Sequence, residues 1–313
     1  MRLESNWWIE LENTYTERIK QRIQLFEENG KEVLAMLPGS EFACRELMEM
    51  VLHFLCHRYP HYFALSVNDR VFENKILHII TDLSTTPPLH VLLHHVPEDF
   101  AVMIRDDATE CYHFRAGIIC SSVGWNLGAK IGLRLEDIHT PVPDYKSKMA
   151  FSMDRYFSKL PTDSPIQRGS WAFELDQPLY MAPENAHPSI DGISATEALE
   201  RIHFRVDWQT LRRMPVSGAI AFNFKAVFTP LKQLRNEPFV PALALKVLTE
   251  GKSDLLAYKG VQRTKDVVIP TLREFAAEQV EKGVVPVDWD VCTLEESPFF
   301  PGWKEQWLKN QKE

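Results

Sequence analysis

The sequence predicts an α+β fold organised on a mainly antiparallel sheet. Three observations carry this. Amphipathic helical periodicity fills residues 1–60 and returns near the C-terminus. Between them, short apolar runs of strand type alternate with turn signals and a few short helices. Neither a Walker loop nor a GxGxxG following a strand occurs, which disfavours a nucleotide-binding Rossmann unit.

Residues 14–29 place Tyr15, Ile19, Ile23 and Phe26 on one helical face, closed by Asn29-Gly30. Residues 41–58 repeat the pattern with Ala43, Leu47, Met50, Val51, Phe54 and Leu55, and Pro60 stops the helix. Tyr62 to Val67 and Lys75 to Thr81 read as two strands of a hairpin around the Asn68-Asp69 turn. A short helix is expected over 89–95. Strands are expected over 100–104 and 112–119, separated by Asp106-Asp107. A helix over 146–159 carries Met149, Met153, Tyr156 and Phe157. Trp171 and Phe173 sit in a strand, and residues 182–196 read as a mobile loop. Phe204 to Val206 and Ala219 to Val227 are strands, the second alternating Ile220, Phe222, Phe224, Ala226 against Ala221, Asn223, Lys225, Val227. Helices follow over 239–249 and 268–282. The expected organisation is one domain, with a helical N-terminal layer (1–60), a sheet core (61–230) and a C-terminal helical extension (231–313).

With 313 residues, 45% hydrophobic and 25% charged, the chain can bury a substantial core and has an ordinary globular composition. A net charge of −8 argues against a nucleic-acid partner, because phosphate binding needs a basic footprint. No run of about 18 apolar residues predicts a membrane span. Scattered cysteines at 44, 56, 111, 120 and 292 and the lack of a signal-peptide pattern point to a reducing, cytoplasmic setting.

The stretch 117–145 holds the densest chemistry. Cys120-Ser121-Ser122 offers hydroxyls for an N-cap, and Trp125, Leu127, Ala129 and Ile131 read as a short helix ended by Gly132. Leu133, Leu135 and Ile138 continue an apolar face up to His139. Pro141 and Pro143 then stiffen the chain, so the histidine ring sits in a rigid loop. A structural histidine at the rim of a core is the alternative reading. Arg212-Arg213, following Gln209-Thr210, could clamp carboxylates in bidentate fashion or be a solvated pair. His53, His57 and His61 have zinc-like spacing, but Pro60 ends their helix before His61. His94-His95 with Glu98 and Asp99 is a polar cluster without the HExxH order. No GxSxG elbow is present.

Several blocks occur in an order that resembles the haem-dependent oxidative N-demethylase α-subunit family. They are Asn6-Trp7-x-x-x-Leu11 with Tyr15, Glu46-Leu47, Arg58-Tyr59-Pro60 with Phe63, and Glu98-Asp99. The sharpest are Trp125-x-x-x-x-Lys130-x-Gly132, Ile138-His139-x-Pro141-Val142-Pro143, Arg168 with Trp171, Arg205-Val206, Gln209-Thr210-Leu211-Arg212-Arg213, and Pro215-x-Ser217-Gly218-Ala219. Tyr258-Lys259-Gly260 also fits.

The resemblance implies a PAS-like sheet with flanking helices, holding haem b. It implies a monooxygenase that oxidises a small secondary amine with O₂ and releases formaldehyde. Electrons would come from NADPH through a separate flavin and iron–sulfur reductase. It makes His139 the first choice for the axial iron ligand, with His203 and His113 as the other candidates. Arg212 and Arg213 are implied for the haem propionates, Lys130 and Trp125 for the pocket wall, and Asp137 is a candidate partner for the ligand's second nitrogen. The chain departs from relatives at Asp207-Trp208 and at Gly169-Ser170, which puts a dimethylamine-type substrate in question. A haem sensor or carrier, or a cofactor-free interaction module, are the competing readings.

Overall fold

The computed structural model describes residues 1–66, 68–183, 190 and 192–293. The chain divides into two compact units. One comprises Met1–Thr140, Asp144–Arg168 and Trp208–Lys225; the other comprises Pro141–Pro143, Gly169–Asp207 and Ala226–Glu313.

In the first unit, α1 (Tyr15–Asn29) buries Tyr15, Ile19 and, on the same stripe, Arg22. Strand β1 (Leu34–Met36) follows, so the N-terminal layer also contributes to the sheet. Helix α2 (Glu41–Arg58) buries a broad stripe from Ala43 to Leu55, with Glu46 inside it. The Glu46 carboxylate accepts the backbone N–H groups of Val216 and Ser217 at 2.7 and 2.8 Å, fixing the turn that joins two later strands. Gly218 takes φ +69 in that turn, a conformation that favours glycine.

Three short strands, β2 (Phe63–Leu65), β3 (Val71–Asn74) and β4 (Ile79–Asp82), form a separate antiparallel sheet. This corrects the expected two-strand hairpin. Lys75–His78 is a turn, because His78 adopts φ +57 and the Asn74 side chain accepts the Leu77 N–H. Phe63 therefore pairs with Asn74, upstream of that run. Val67, the end of the first expected strand, lies outside the described residues. Helix α3 (Pro88–His95) begins with proline at its first turn, where no donor is lost.

The main sheet has six strands in the order β1-β6-β5-β9-β8-β7. Its members are β5 (Asp99–Arg105), β6 (Tyr112–Ile118), β7 (Ile166–Leu175), β8 (Ile202–Arg213) and β9 (Ile220–Pro230), besides β1. The β1–β6, β5–β6 and β5–β9 pairs are antiparallel, with Phe100 opposite both Ile118 and Asn223. The predicted alternation of β9 holds. Ile220 and Phe224 join a core with Tyr112, Phe114, Leu127, Leu135, Phe157 and Leu211, while Asn223 and Lys225 turn to the opposite face. Each fully buried side chain of this kind contributes roughly 1.5–3 kcal/mol.

Helix α4 (Leu135–Ile138) and α5 (Ala150–Lys159) lie between β6 and β7 in the chain, α5 preceded by a π turn over Tyr145–Met149. Met149, expected on the inner side of that helix, is 41% exposed.

The second unit has its own core. Phe173 and Leu175 of β7, Ala198 of α6 (Ala195–Arg201), Ile202, Leu248 of α7 (Val240–Glu250) and Leu272 and Phe275 of α9 (Lys265–Glu281) are among its buried members. Helix α8 (Ser253–Tyr258) precedes Lys259, whose Nζ donates to the Trp171 carbonyl at 2.8 Å and the Ser170 hydroxyl at 3.3 Å. That bond ties the Trp171 and Tyr258-Lys259-Gly260 blocks together. Of the loop expected over 182–196, residues 184–189 and 191 lie outside the described residues, and its end enters α6.

Candidate functional site

The segment after β6 begins at a buried charge pair. Arg22, 1% exposed, donates to the Asp99 carboxylate and, at 2.7 Å, to the Glu98 carbonyl. Asp99 accepts the backbone N–H groups of Cys120 at 2.9 Å and Ser121 at 2.7 Å, and the Ser121 hydroxyl. A carboxylate so surrounded by donors is satisfied without water. These bonds also correct an expectation. The Cys120-Ser121-Ser122 group caps no helix, and Trp125 to Gly132 run as irregular chain that ends in a turn over Gly128 to Gly132. The Gly132 N–H donates to the Phe114 carbonyl at 2.7 Å, and Phe114 donates to Leu133 at 2.9 Å, laying this segment beside β6.

Trp125 packs against Phe224 with ring centroids 6.5 Å apart. Lys130 Nζ stands 4.2 Å from the Trp125 ring, a cation–π contact. Burial lowers the Lys130 pKa to about 8. Among the described residues, no carboxylate pairs with Lys130 or with Arg168.

His139 caps the C-terminus of α4 directly after Ile138, which packs on the same core. Its Nδ1 lies 2.8 Å from the Leu135 carbonyl. A carbonyl only accepts, so Nδ1 carries the proton and Nε2 keeps its lone pair. Among the described residues, Nε2 has no hydrogen-bond partner. The ring stacks on Tyr145, centroids 4.5 Å apart and planes 8° from parallel. Burial holds the His139 pKa below the usual histidine range, with the charges of Lys130 and Arg168 acting in the same direction and the Leu135 carbonyl opposing. The imidazole is therefore neutral at neutral pH, the form that ligates metals. Asp137 does not reach it; its carboxylate takes Arg134 Nε at 3.0 Å instead.

Of the other two histidine candidates, His203 differs from His139 and His113 shares its hydrogen-bond arrangement. His203 is buried with both nitrogens engaged, Nδ1 with the Arg201 carbonyl at 2.8 Å and Nε2 with Gln177 at 3.1 Å. His113 donates through Nδ1 to the Gly132 carbonyl at 3.1 Å, and its buried Nε2 has no partner among the described residues.

Strand alternation separates the two arginines. Arg213 donates to the carbonyls of Leu160 at 2.5 Å, Gly218 at 2.8 Å and Phe157, and to the Tyr112 hydroxyl at 2.9 Å. Arg212 points to the other face of β8, its guanidinium 4.3 Å over the Trp8 ring and its buried Nε unpaired among the described residues. Trp125, Lys130 and His139 thus gather on or beside one core, Arg213 ties that core together, and Arg212 lies on the opposite side of the sheet.

Tyr145 was not singled out by sequence reasoning. It follows a proline-rich turn in which Asp144 takes φ +59, so no helical or strand period links it to His139.

One member of each remaining histidine cluster is engaged by other side chains. His95 has Asn74 at 3.1 Å on Nδ1 and Thr81 at 2.8 Å on Nε2, and His53 faces Asp69 at 3.4 Å. Among the described residues, no group of three or more His, Cys, Asp or Glu is placed to hold a metal ion, and no helix is long and apolar enough to cross a membrane.

Over residues 1–269 the sequence matches the family described as haem-dependent oxidative N-demethylase, alpha subunit-like, and the chain belongs to that family.

Proposed function

We propose that this chain is a haem b-dependent monooxygenase that oxidises a small amine, using O₂ and electrons delivered by a separate reductase. One observation carries the reading: a neutral His139 whose Nδ1 is tied to the Leu135 carbonyl while Nε2 has no partner among the described residues, stacked on Tyr145 beside the core that holds Trp125 and Lys130. A protein acceptor that holds the N–H of the far nitrogen is what an iron-ligating histidine requires.

The surroundings fit the group. Trp125, Ile131, Ile138, Met153, Tyr156 and Phe222 are only partly buried against the core, leaving apolar surface that a flat macrocycle would cover. Lys130, which has no carboxylate partner among the described residues, supplies a cation for one propionate, and Arg168 a second positive charge that acts on His139. Arg212 lies on the other face of the sheet, and Arg213 has its donors committed to the scaffold. The five strands β6-β5-β9-β8-β7 run second, first, fifth, fourth, third in chain order, which supports a PAS-like sheet.

Bound haem would supply the activation of O₂. Overall, an N-methyl amine, O₂, two electrons and two protons would give the demethylated amine, formaldehyde and water. The protein's part is to hold the iron through Nε2, to fix the imidazole tautomer through Leu135, and to neutralise a propionate through Lys130. NADPH, flavin and iron–sulfur chemistry would belong to the reductase. Free cysteines at 44, 56, 111, 120 and 292 support a cytoplasmic setting.

The test is an absorption spectrum of the purified protein after haem addition, ferric and dithionite-reduced, with and without CO, for wild type and His139→Ala. The expected result is a Soret band with a CO-shifted ferrous form, altered in the variant. NADPH-driven formaldehyde release with a surrogate reductase then separates turnover from a sensor or carrier. An unchanged His139→Ala spectrum at full haem loading rejects the ligand assignment.

A further inference from the structure

We propose that Tyr145 is a positioning residue for His139, setting the plane of the imidazole so that Nε2 faces the iron. This rests on the reading of His139 as the haem ligand. The ligand histidine sits at the end of a helix of only four residues, a scaffold too short to fix a ring by itself. Two contacts fix it instead. The Leu135 carbonyl at 2.8 Å holds Nδ1, which restrains one edge of the ring. A single hydrogen bond leaves the ring free to pivot about that edge. The Tyr145 ring, stacked at 4.5 Å and 8° from parallel, removes this freedom.

Tyr145 is itself immobilised. It is 3% exposed and opens the π turn Tyr145–Met149, and the preceding Asp144 is held at φ +59. A left-handed aspartate and a π turn are both locally costly, and such features persist where the surrounding structure demands them. Here their effect is to bring a rigid aromatic plane back onto the histidine. The Tyr145 hydroxyl is buried and has no partner among the described residues. It is the ring, not the hydroxyl, that makes the contact, so phenylalanine should replace it and an aliphatic side chain should not.

The experiment compares wild type, Tyr145→Phe and Tyr145→Leu, with Tyr145→Met as a second ring-free variant that refills the volume should leucine unfold the chain. In haem-free, ¹⁵N-labelled protein, two-bond ¹H–¹⁵N spectra report the His139 tautomer. Wild type and Tyr145→Phe are expected to show one tautomer with the proton on Nδ1, and the ring-free variants a mixture. On haem addition, Tyr145→Phe should keep the wild-type ferric spectrum. The ring-free variants should bind haem on the order of tenfold more weakly, the scale of effect for groups that orient a ligand. Ring-free variants with a wild-type tautomer and wild-type haem affinity would overturn the proposal. A His139→Ala protein with an unchanged haem spectrum overturns the ligand assignment instead, and the tautomer spectra still report whether Tyr145 orders the ring.

Discussion

Arg212 and Arg213 are adjacent in sequence and serve opposite faces of one strand: Arg213 bonds to Tyr112 and the carbonyls of Phe157, Leu160 and Gly218, and Arg212 stacks 4.3 Å over Trp8. Their removal should have unequal consequences. Arg213→Ala leaves several buried acceptors without donors and is expected to cost about 3 kcal/mol or more of stability. Arg212→Ala loses a cation–π contact and relieves an unpaired Nε, and is expected to cost about 1 kcal/mol. Urea unfolding of the two variants measures the difference, and equal losses would contradict the assignment of Arg213 to the scaffold.

The buried Arg22–Asp99 pair anchors the start of the segment that carries Trp125, Lys130 and His139. Breaking one side strands a charge in the core. Asp99→Ala is expected to destabilise by about 3–5 kcal/mol. Adding Arg22→Met in the same chain should recover part of that loss, because the orphan cation is then gone. A double variant less stable than Asp99→Ala would show that the pair does not couple as the contacts require.

What the sequence made legible follows from whether a residue's role is set locally. Helices α1 and α2 and strand β9 were readable because apolar spacing alone determines their buried faces. The segment from Trp125 to Gly132 is not the short helix its spacing suggests, because the Ser121 hydroxyl that could cap it donates instead to Asp99, 22 positions before Ser121 in the chain. Arg212-Arg213 could be a carboxylate clamp or a solvated pair on spacing alone, and strand alternation sends the two apart once residues 202–213 are a strand. His139 could be singled out from its proline-bounded setting and family block. Its ring contacts with Leu135 and Tyr145 could not, since they depend on a four-residue helix and a left-handed Asp144 that carry no periodic signal.

Glu98 gives the fold a pH dependence. It is 4% exposed, and burial raises its pKa from 4.5 to about 7, with Lys225 opposing. The folded chain therefore holds a proton that the unfolded chain releases between pH 4.5 and 7, and stability falls as pH rises through that window. The contribution is on the order of 3 kcal/mol. Glu98→Gln keeps an acceptor for Asn223 and cannot ionise. It should match wild type near pH 5 and exceed it at pH 8 in thermal unfolding. Parallel stability curves for the two proteins would reject a protonated Glu98.

Lys130 predicts two opposite responses to alkaline pH. Burial lowers its pKa to about 8, so the folded chain binds fewer protons than the unfolded chain between that value and the ordinary lysine value of 10.5. The haem-free protein should gain stability from this group as pH rises through that window. Haem retention should move the other way, because deprotonation removes the cation proposed to face a propionate. Lys130→Met abolishes both responses. It is expected to stabilise the haem-free protein near pH 7, since a buried charge is lost, and to weaken haem binding by roughly tenfold there. Haem titrations at pH 7 and pH 9 for both proteins make the check: wild type should lose affinity toward the variant's level at the higher pH, and the variant should not change. A wild-type affinity that is flat across this range would remove Lys130 from the cofactor site while leaving its burial, and hence the stability response, intact.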